Sequence, residues 1–156
     1  MTYVFDNSPL STLFRNYYRR RFPTLWQHFD ELVDNGDIVS TREVLREIKD
    51  GAVDSLRDWA AQNHELFTIP NADEGTFVGQ IYAVQHFQQN IERQKMLKGG
   101  RNADPFVIAK AAVNGFTVVT MEQLRDNAVK IPNICNHFDI PWMSLEDFME
   151  AEGWEF

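Results

Sequence analysis

Four acidic residues, Asp6, Glu47, Asp104 and Glu122, are far apart along the chain but stand where they could do chemistry together. Asp6 directly follows Tyr3-Val4-Phe5, an apolar, β-prone run that reads as a buried strand. Glu122 follows Phe116-Thr117-Val118-Val119-Thr120, the clearest buried strand in the sequence. Glu47 and Asp104 fall on helices expected to pack nearby. Brought together at the C-terminal ends of parallel strands, these carboxylates would form a densely negative pocket. Such a pocket is stable only if some of the acids protonate or a divalent cation neutralises them. Oxygen-only ligands, without His or Cys, favour Mg2+ or Mn2+.

Each acid also has a purely structural reading. Asp104 ahead of Pro105 has the form of a helix N-cap before a proline in the first turn. Ser40 with Glu43 three residues on reads as a capping box opening a helix over 41–49, which leaves Glu47, one turn later, as the freer acid. A helix glutamate is otherwise usually solvated. Glu122 could be a first-turn acid of a helix around 122–129, favoured by the helix dipole. Asp6 is the hardest to explain as scaffold, because an aspartate directly after an apolar strand costs desolvation unless something uses it.

The elements that must position these acids alternate between short strands and helices. Ser8-Pro9 reads as a helix start, which leaves Asp6 and Asn7 in the strand-to-helix turn where open α/β sheets bind ligands. A helix over 25–33 closes at Asn35-Gly36, a strand spans 37–39, a helix 53–62 and a strand 66–69. Residues 74–97 are mostly helix-compatible and lead through Lys98-Gly99-Gly100 to a helix opened by Asp104 and stopped at Asn114-Gly115. Pro141-Trp142-Met143 reads as an edge strand, and Ser144 as the cap of a terminal helix. The expected fold is a single α/β domain over 1–156, a three-layer sandwich around a central, mostly parallel sheet of short strands.

Composition narrows the functions. The 156 residues are 44% hydrophobic, enough for a packed core, and the net charge of −8 excludes a globally basic nucleic-acid binder. The single cysteine, Cys135, excludes disulfide frameworks and reads as a small core hydrophobe. No leader-like or membrane-spanning stretch is apparent, so a cytoplasmic protein with no membrane partner is expected. Basic residues concentrate in two groups, Arg15, Arg19, Arg20, Arg21 and Arg93, Lys95, Lys98, Arg101, eight of the fifteen. They could flank the carboxylates and hold phosphates, with Tyr17 and Tyr18 stacking on unpaired bases, or simply form a solvated face. His28, His64, His86 and His137 lack ligand-like spacing. The acid-rich stretch 139–156, without Lys or Arg, reads as a solvated last helix.

The chain resembles the PIN-domain family of metal-dependent nucleases over nearly its whole length. The resemblance is carried by Tyr3-Val4-Phe5-Asp6-Asn7-Ser8, by Val39-Ser40 through Val44-Leu45-Arg46-Glu47-Ile48, by Ala103-Asp104-Pro105-Phe106-Val107-Ile108-Ala109, and by Phe116-Thr117-Val118-Val119-Thr120-Met121-Glu122. It implies that Asp6, Glu47 and Asp104 are metal-site acids and that Ser8, beside Asn7, is the small hydroxyl residue near the metal. Glu122 stands where the family commonly has an aspartate, so Asp126 one turn later is an alternative fourth acid, and one or two metals remain open. The implied activity is Mg2+- or Mn2+-dependent hydrolysis of RNA phosphodiester bonds. Arg15, Arg19, Arg20, Lys98 and Arg101 would be the RNA contacts. The chain looks most like a VapC-type toxin relative, which implies a cognate antitoxin protein and a homodimer. Two alternatives stand beside this: a catalytically silent PIN-like module that binds RNA or protein, and a phosphoaspartyl phosphatase. The phosphatase usually needs a second acid two residues after the first, where this chain has Ser8.

Overall fold

Tyr3–Phe5 forms β1, with all three side chains buried. In the computed structural model, which describes residues 1–97 and 102–156, this is the central strand of a five-stranded sheet. The other strands are β2 (Ile38–Thr41), β3 (Phe67–Thr68), β4 (Thr117–Val119) and β5 (Trp142–Met143), in the order β3-β2-β1-β4-β5. Every adjacent pair is parallel, with Val4 opposite Val39 on one side and Val118 on the other. Parallel neighbours cannot be joined by tight turns, so each connection crosses over through helices that bury both faces of the sheet.

The connections are α1 (Asn7–Asn16) and α2 (Pro23–Asp34), then α3 (Arg42–Asp50) and α4 (Asp54–Gln62). These are followed by α5 (Ala72–Ala83), α6 (Gln88–Leu97) and α7 (Asp104–Asn114), and after β4 by α8 (Ile131–His137), with α9 (Leu145–Ala151) closing the described chain. Aromatic residues fill one side of the sheet. Phe5 meets Phe29 and Phe148 edge-on at 6.4 and 5.0 Å, while Phe14, Trp26 and Trp59 extend the cluster between α1, α2 and α4. Edge-to-face pairs of this kind add about 0.5–1.5 kcal/mol each beyond the area they bury. The Tyr3 hydroxyl donates to Glu152 at 2.6 Å, and burial together with this carboxylate pushes the phenol well above its ordinary range. Gly115 ends α7 in the left-handed region at φ 71°, where a side chain would be strained.

Several expected boundaries move. Ser40 is not the cap of α3 but the third residue of β2, buried, with its hydroxyl donating to the Phe5 carbonyl at 2.7 Å. Thr41 is the N-cap, accepting from Val44 N–H at 3.4 Å, and Glu43 pairs with Arg42 and Arg46 instead of closing a capping box. Asp6 occupies the N-cap position of α1, so Ser8 is already helical. Ala103 occupies that position for α7, which makes Asp104 its first residue. No helix forms around 122–129. Residues 121–130 are irregular, turning at Asn127 with φ 59°, and the helical turn begins only at Ile131, with Pro132 pre-set for it.

Candidate active site

The strand order reverses direction at β1: β2 and β3 lie on one side, β4 and β5 on the other. In an open parallel sheet this reversal leaves a crevice beyond the C-terminal ends of the two strands that flank it. Here those strands are β1 and β4, and the residues that follow them are Asp6 and Thr120. The Asp6 N–H donates to the Val119 carbonyl at 3.1 Å, continuing the ladder one step past the strand. Asp6 is 5% exposed. Its Oδ2 accepts from Ser8 Oγ at 3.0 Å and from Thr120 Oγ1 at 3.2 Å. Its Oδ1 is buried with no hydrogen-bond partner among the described residues. Both hydroxyls are themselves anchored, Ser8 Oγ accepting from Met121 N–H and Thr120 Oγ1 from Glu122 N–H, each at 3.1 Å. Asn7 accepts from Ser11 Oγ at 3.0 Å within α1.

Glu47 and Asp104 form a neighbouring group. Glu47, 8% exposed on α3, accepts from Ala103 N–H at 3.2 Å, the residue just before Asp104. Asp104, 1% exposed, accepts from the Asn90 amide at 3.1 Å. Asn90 is fully buried on α6. It also donates to the Val129 carbonyl at 3.0 Å and accepts from Asn102 at 2.6 Å, while Asn102 donates to the Tyr82 hydroxyl. The Tyr82 phenol is pushed up to about 12, first by burial and then by the Asp104 charge, against the Asn102 hydrogen bond. Burial, then Asp104, then Glu122 raise the Cys135 thiol, so both carboxylates act on one buried sulfur.

The structure therefore joins Asp6, Ser8, Thr120 and the Glu122 backbone in one hydrogen-bonded set, and Glu47 and Asp104 in another. The two sets meet through the segment before α8: Asn90 holds the Val129 carbonyl, and Ile131 N–H donates to the Glu122 carboxylate at 3.2 Å. Among the described residues, no three His, Cys, Asp or Glu side chains stand close enough to hold a metal ion. The orphaned Asp6 Oδ1 is nonetheless the kind of hard, anionic oxygen that suits Mg2+ or Mn2+. Asp126 lies exposed at the turn of the 121–130 segment.

The first arginine group has a different setting. Arg19, Arg20 and Arg21 lie in the connection between α1 and α2 and line a groove of about 760 Å³ with Tyr17, Trp26 and Trp59, to which none of the four acids contributes. Arg19 makes a two-point pair with Asp30 at 2.9 and 3.2 Å and stacks on Trp26 at 4.3 Å. Tyr17 packs edge-on against Phe22, whereas Tyr18 and Arg15 are exposed. Lys98 and Arg101 lie outside the described residues.

Thr120, Asn90, Asn102 and Tyr82 were not among the candidate residues. Thr120 was readable as the residue ending the late strand. Asn90, inside a polar helical stretch, carried no local signal.

This architecture, an α/β sandwich on a five-stranded parallel sheet with acids beyond β1 and β4, is consistent with a PIN-like fold. The chain belongs to a family described as a domain of unknown function (DUF4411), whose model matches residues 3–156. No curated protein matches it. Among solved structures, it is similar to a chain in the crystal structure of VapBC2 from Rickettsia felis bound to a DNA fragment from their promoter. The TM-score is 0.51 at 14% identity, and the match covers 92% of this chain and 98% of that one. Likeness at this identity speaks for the fold.

Proposed function

We propose that the protein is a Mg2+- or Mn2+-dependent endoribonuclease and the toxin of a toxin-antitoxin pair. The observation that carries this reading is Asp6: a buried carboxylate at the reversal point of the sheet, with one oxygen fixed by two hydroxyls and the other without a hydrogen-bond partner among the described residues. Asp6, Asp104, Glu47 and Glu122 are the residues that would hold the metal. When bound, Mg2+ or Mn2+ supplies positive charge for the phosphate and makes a water acidic enough to give up a proton. Ser8 and Thr120 hold the Asp6 carboxylate in one orientation. Asn90 does the same for Asp104, and burial of both acids limits competition from bulk water. Arg15, Arg20, Lys98 and Arg101 are proposed contacts to the RNA backbone. Arg19, committed to Asp30 and Trp26, would shape the surface more than it binds phosphate.

The similar VapBC2 structure supports a partner protein for this chain, working in the cytoplasm. Among the described residues no helix is long and apolar enough to cross a membrane. A homodimer belongs to the same reading and is read out by light scattering of the purified chain.

The test is cleavage of single-stranded RNA by the purified protein with Mg2+ or Mn2+. Asp6→Asn and Asp104→Asn should lose about a hundredfold or more of the rate while keeping native circular dichroism. Equal cleavage by the variants rejects the assignment. Growth after induced expression, with RNA integrity followed in the same cultures, asks whether toxicity needs Asp6. A second reading, a catalytically silent RNA- or protein-binding module, is favoured by the lack of a three-carboxylate cluster among the described residues. Retained binding without turnover in any divalent metal would select it.

A further inference from the structure

The segment 121–130 that replaces the expected helix builds a pocket beside Asp6. It is about 410 Å³ in volume and is lined by Ser8, Met121, Glu122, Gln123, Arg125 and Lys130. Its wall is shared with the candidate site, because Ser8 Oγ both donates to Asp6 Oδ2 and accepts from Met121 N–H. Arg125 and Lys130 bring two positive charges to this wall, and among the described residues neither forms an ion pair. The backbone presenting Arg125 is pinned: its carbonyl accepts from Ala128 N–H at 3.2 Å and from the Asn133 amide at 2.5 Å. The one acid of the lining, Glu122, is engaged by Ile131 N–H.

A chain with a net charge of −8 and buried acids at its candidate site repels a polyanion overall. An RNA strand approaching Asp6 therefore needs cations at that mouth, and the groove holding Arg19, Arg20 and Arg21 is a separate one. We propose that the Ser8–Lys130 pocket is a phosphate subsite, in which Arg125 and Lys130 hold one phosphodiester of single-stranded RNA beside Asp6. This rests on the ribonuclease reading, which supplies the strand and its direction of approach. Two cations, the exposed Arg125 and the half-buried Lys130, recognise phosphate without reading bases, so the subsite positions the strand and leaves sequence choice to other contacts.

The experiment measures binding of a short, mixed-sequence, fluorescein-labelled single-stranded RNA to the full chain carrying Asp6→Asn, across a salt series. Each phosphate contact to a single strand contributes about 0.7 to the slope of log affinity against log salt. Adding Arg125→Gln and Lys130→Gln together should lower that slope by about 0.7, the value for the one phosphate they hold, and each alone by a part of that. Lys49→Gln, an exposed charge on α3, controls for net charge and should leave the slope unchanged. An unchanged slope in the double variant, an equal change in the Lys49 control, or no RNA binding by the Asp6→Asn chain overturns the subsite. Cleavage by the wild-type protein, measured in parallel, separates the two claims. Cleavage with no slope change removes the subsite alone, and a slope change without cleavage upholds the subsite while removing the nuclease.

Discussion

The Thr120 hydroxyl donates to Asp6 Oδ2 at 3.2 Å across a sequence separation of 114 residues. This bond exists because β1 and β4 are parallel neighbours in register, Phe5 opposite Val119, so that the residues after each strand emerge side by side. Thr120→Val keeps the shape of the side chain and removes the donor. Hydrogen bonds to charged groups contribute about 1.5–3 kcal/mol, and Thr120 is fully buried. The expected loss of about 2 kcal/mol is checked by urea unfolding, and cleavage should fall as Asp6 loses its fixed orientation.

Asp6→Asn should act in the opposite sense on stability. The native carboxylate keeps one oxygen buried without a donor among the described residues, a cost that an amide, being neutral, largely removes. A gain of about 1 kcal/mol is expected, or a rise in Tm of about 2–4 °C for a chain of this size. Calorimetry with and without Mn2+ checks both halves. The ion should raise the Tm of the wild type by mass action and have little effect on the variant. A variant that melts well below the wild type would contradict the assignment of Asp6 as a strained functional group.

Thr41→Ala and Ser40→Ala separate the two hydroxyls at the end of β2. Removing the Thr41 cap should cost about 1 kcal/mol through α3. Ser40→Ala removes a buried hydroxyl that ties β2 to the Phe5 carbonyl and should cost a similar amount, about 1 kcal/mol. Had Ser40 been the cap, Thr41→Ala would be nearly silent. Denaturant midpoints of the two variants decide between these arrangements.

Tyr82 makes stability fall at alkaline pH. Its folded pKa, pushed up to about 12 from 10.0, lies above the unfolded value, so the folded chain keeps a proton that the unfolded chain has released. Stability linked to Tyr82 is complete below about pH 10 and is lost as pH rises toward about 12. Tyr82→Phe should flatten that decline only in part, because Tyr3 is raised in the same direction. Unfolding free energies measured through this window, with tyrosinate absorbance as the proton count, provide the check.

The sheet and most of its helices were legible because short, uniformly apolar strands alternating with amphipathic helices permit few arrangements other than a parallel sheet with both faces covered. Asp6 and Glu122 were legible as acids just past strand ends, and Glu47 and Asp104 as acids on helices. The caps were misplaced by one or two positions because Ser8, Ser40 and Asp104 have ideal capping chemistry, yet their side chains are used in tertiary contacts: Ser8 with Met121, Ser40 with Phe5, Asp104 with Asn90. Local propensity cannot see a partner 35 residues away. A helix was expected around 122–129, but the left-handed Asn127 and the buried Val129 belong to an irregular segment that turns at Asn127. Asn90 was invisible for the same reason. Its importance comes from four groups converging on it from α5, α7, the Asn102 connection and the segment before α8, none of which is adjacent to it in sequence.

Placing β1 between β2 and β4 also sets a timetable for synthesis. The first strand leaves the ribosome early, but one of its two neighbours does not exist until Thr117–Val119 has been translated. Until then Asp6 lacks Thr120, and Glu122 has not been made. The hydrogen-bonded set around Asp6 is thus incomplete for most of elongation. The pairing of β1 with β4, the longest-range step in the sheet, is the moment at which the surroundings of Asp6 are completed, and on the toxin reading proposed above a partner protein has that interval in which to meet the emerging chain.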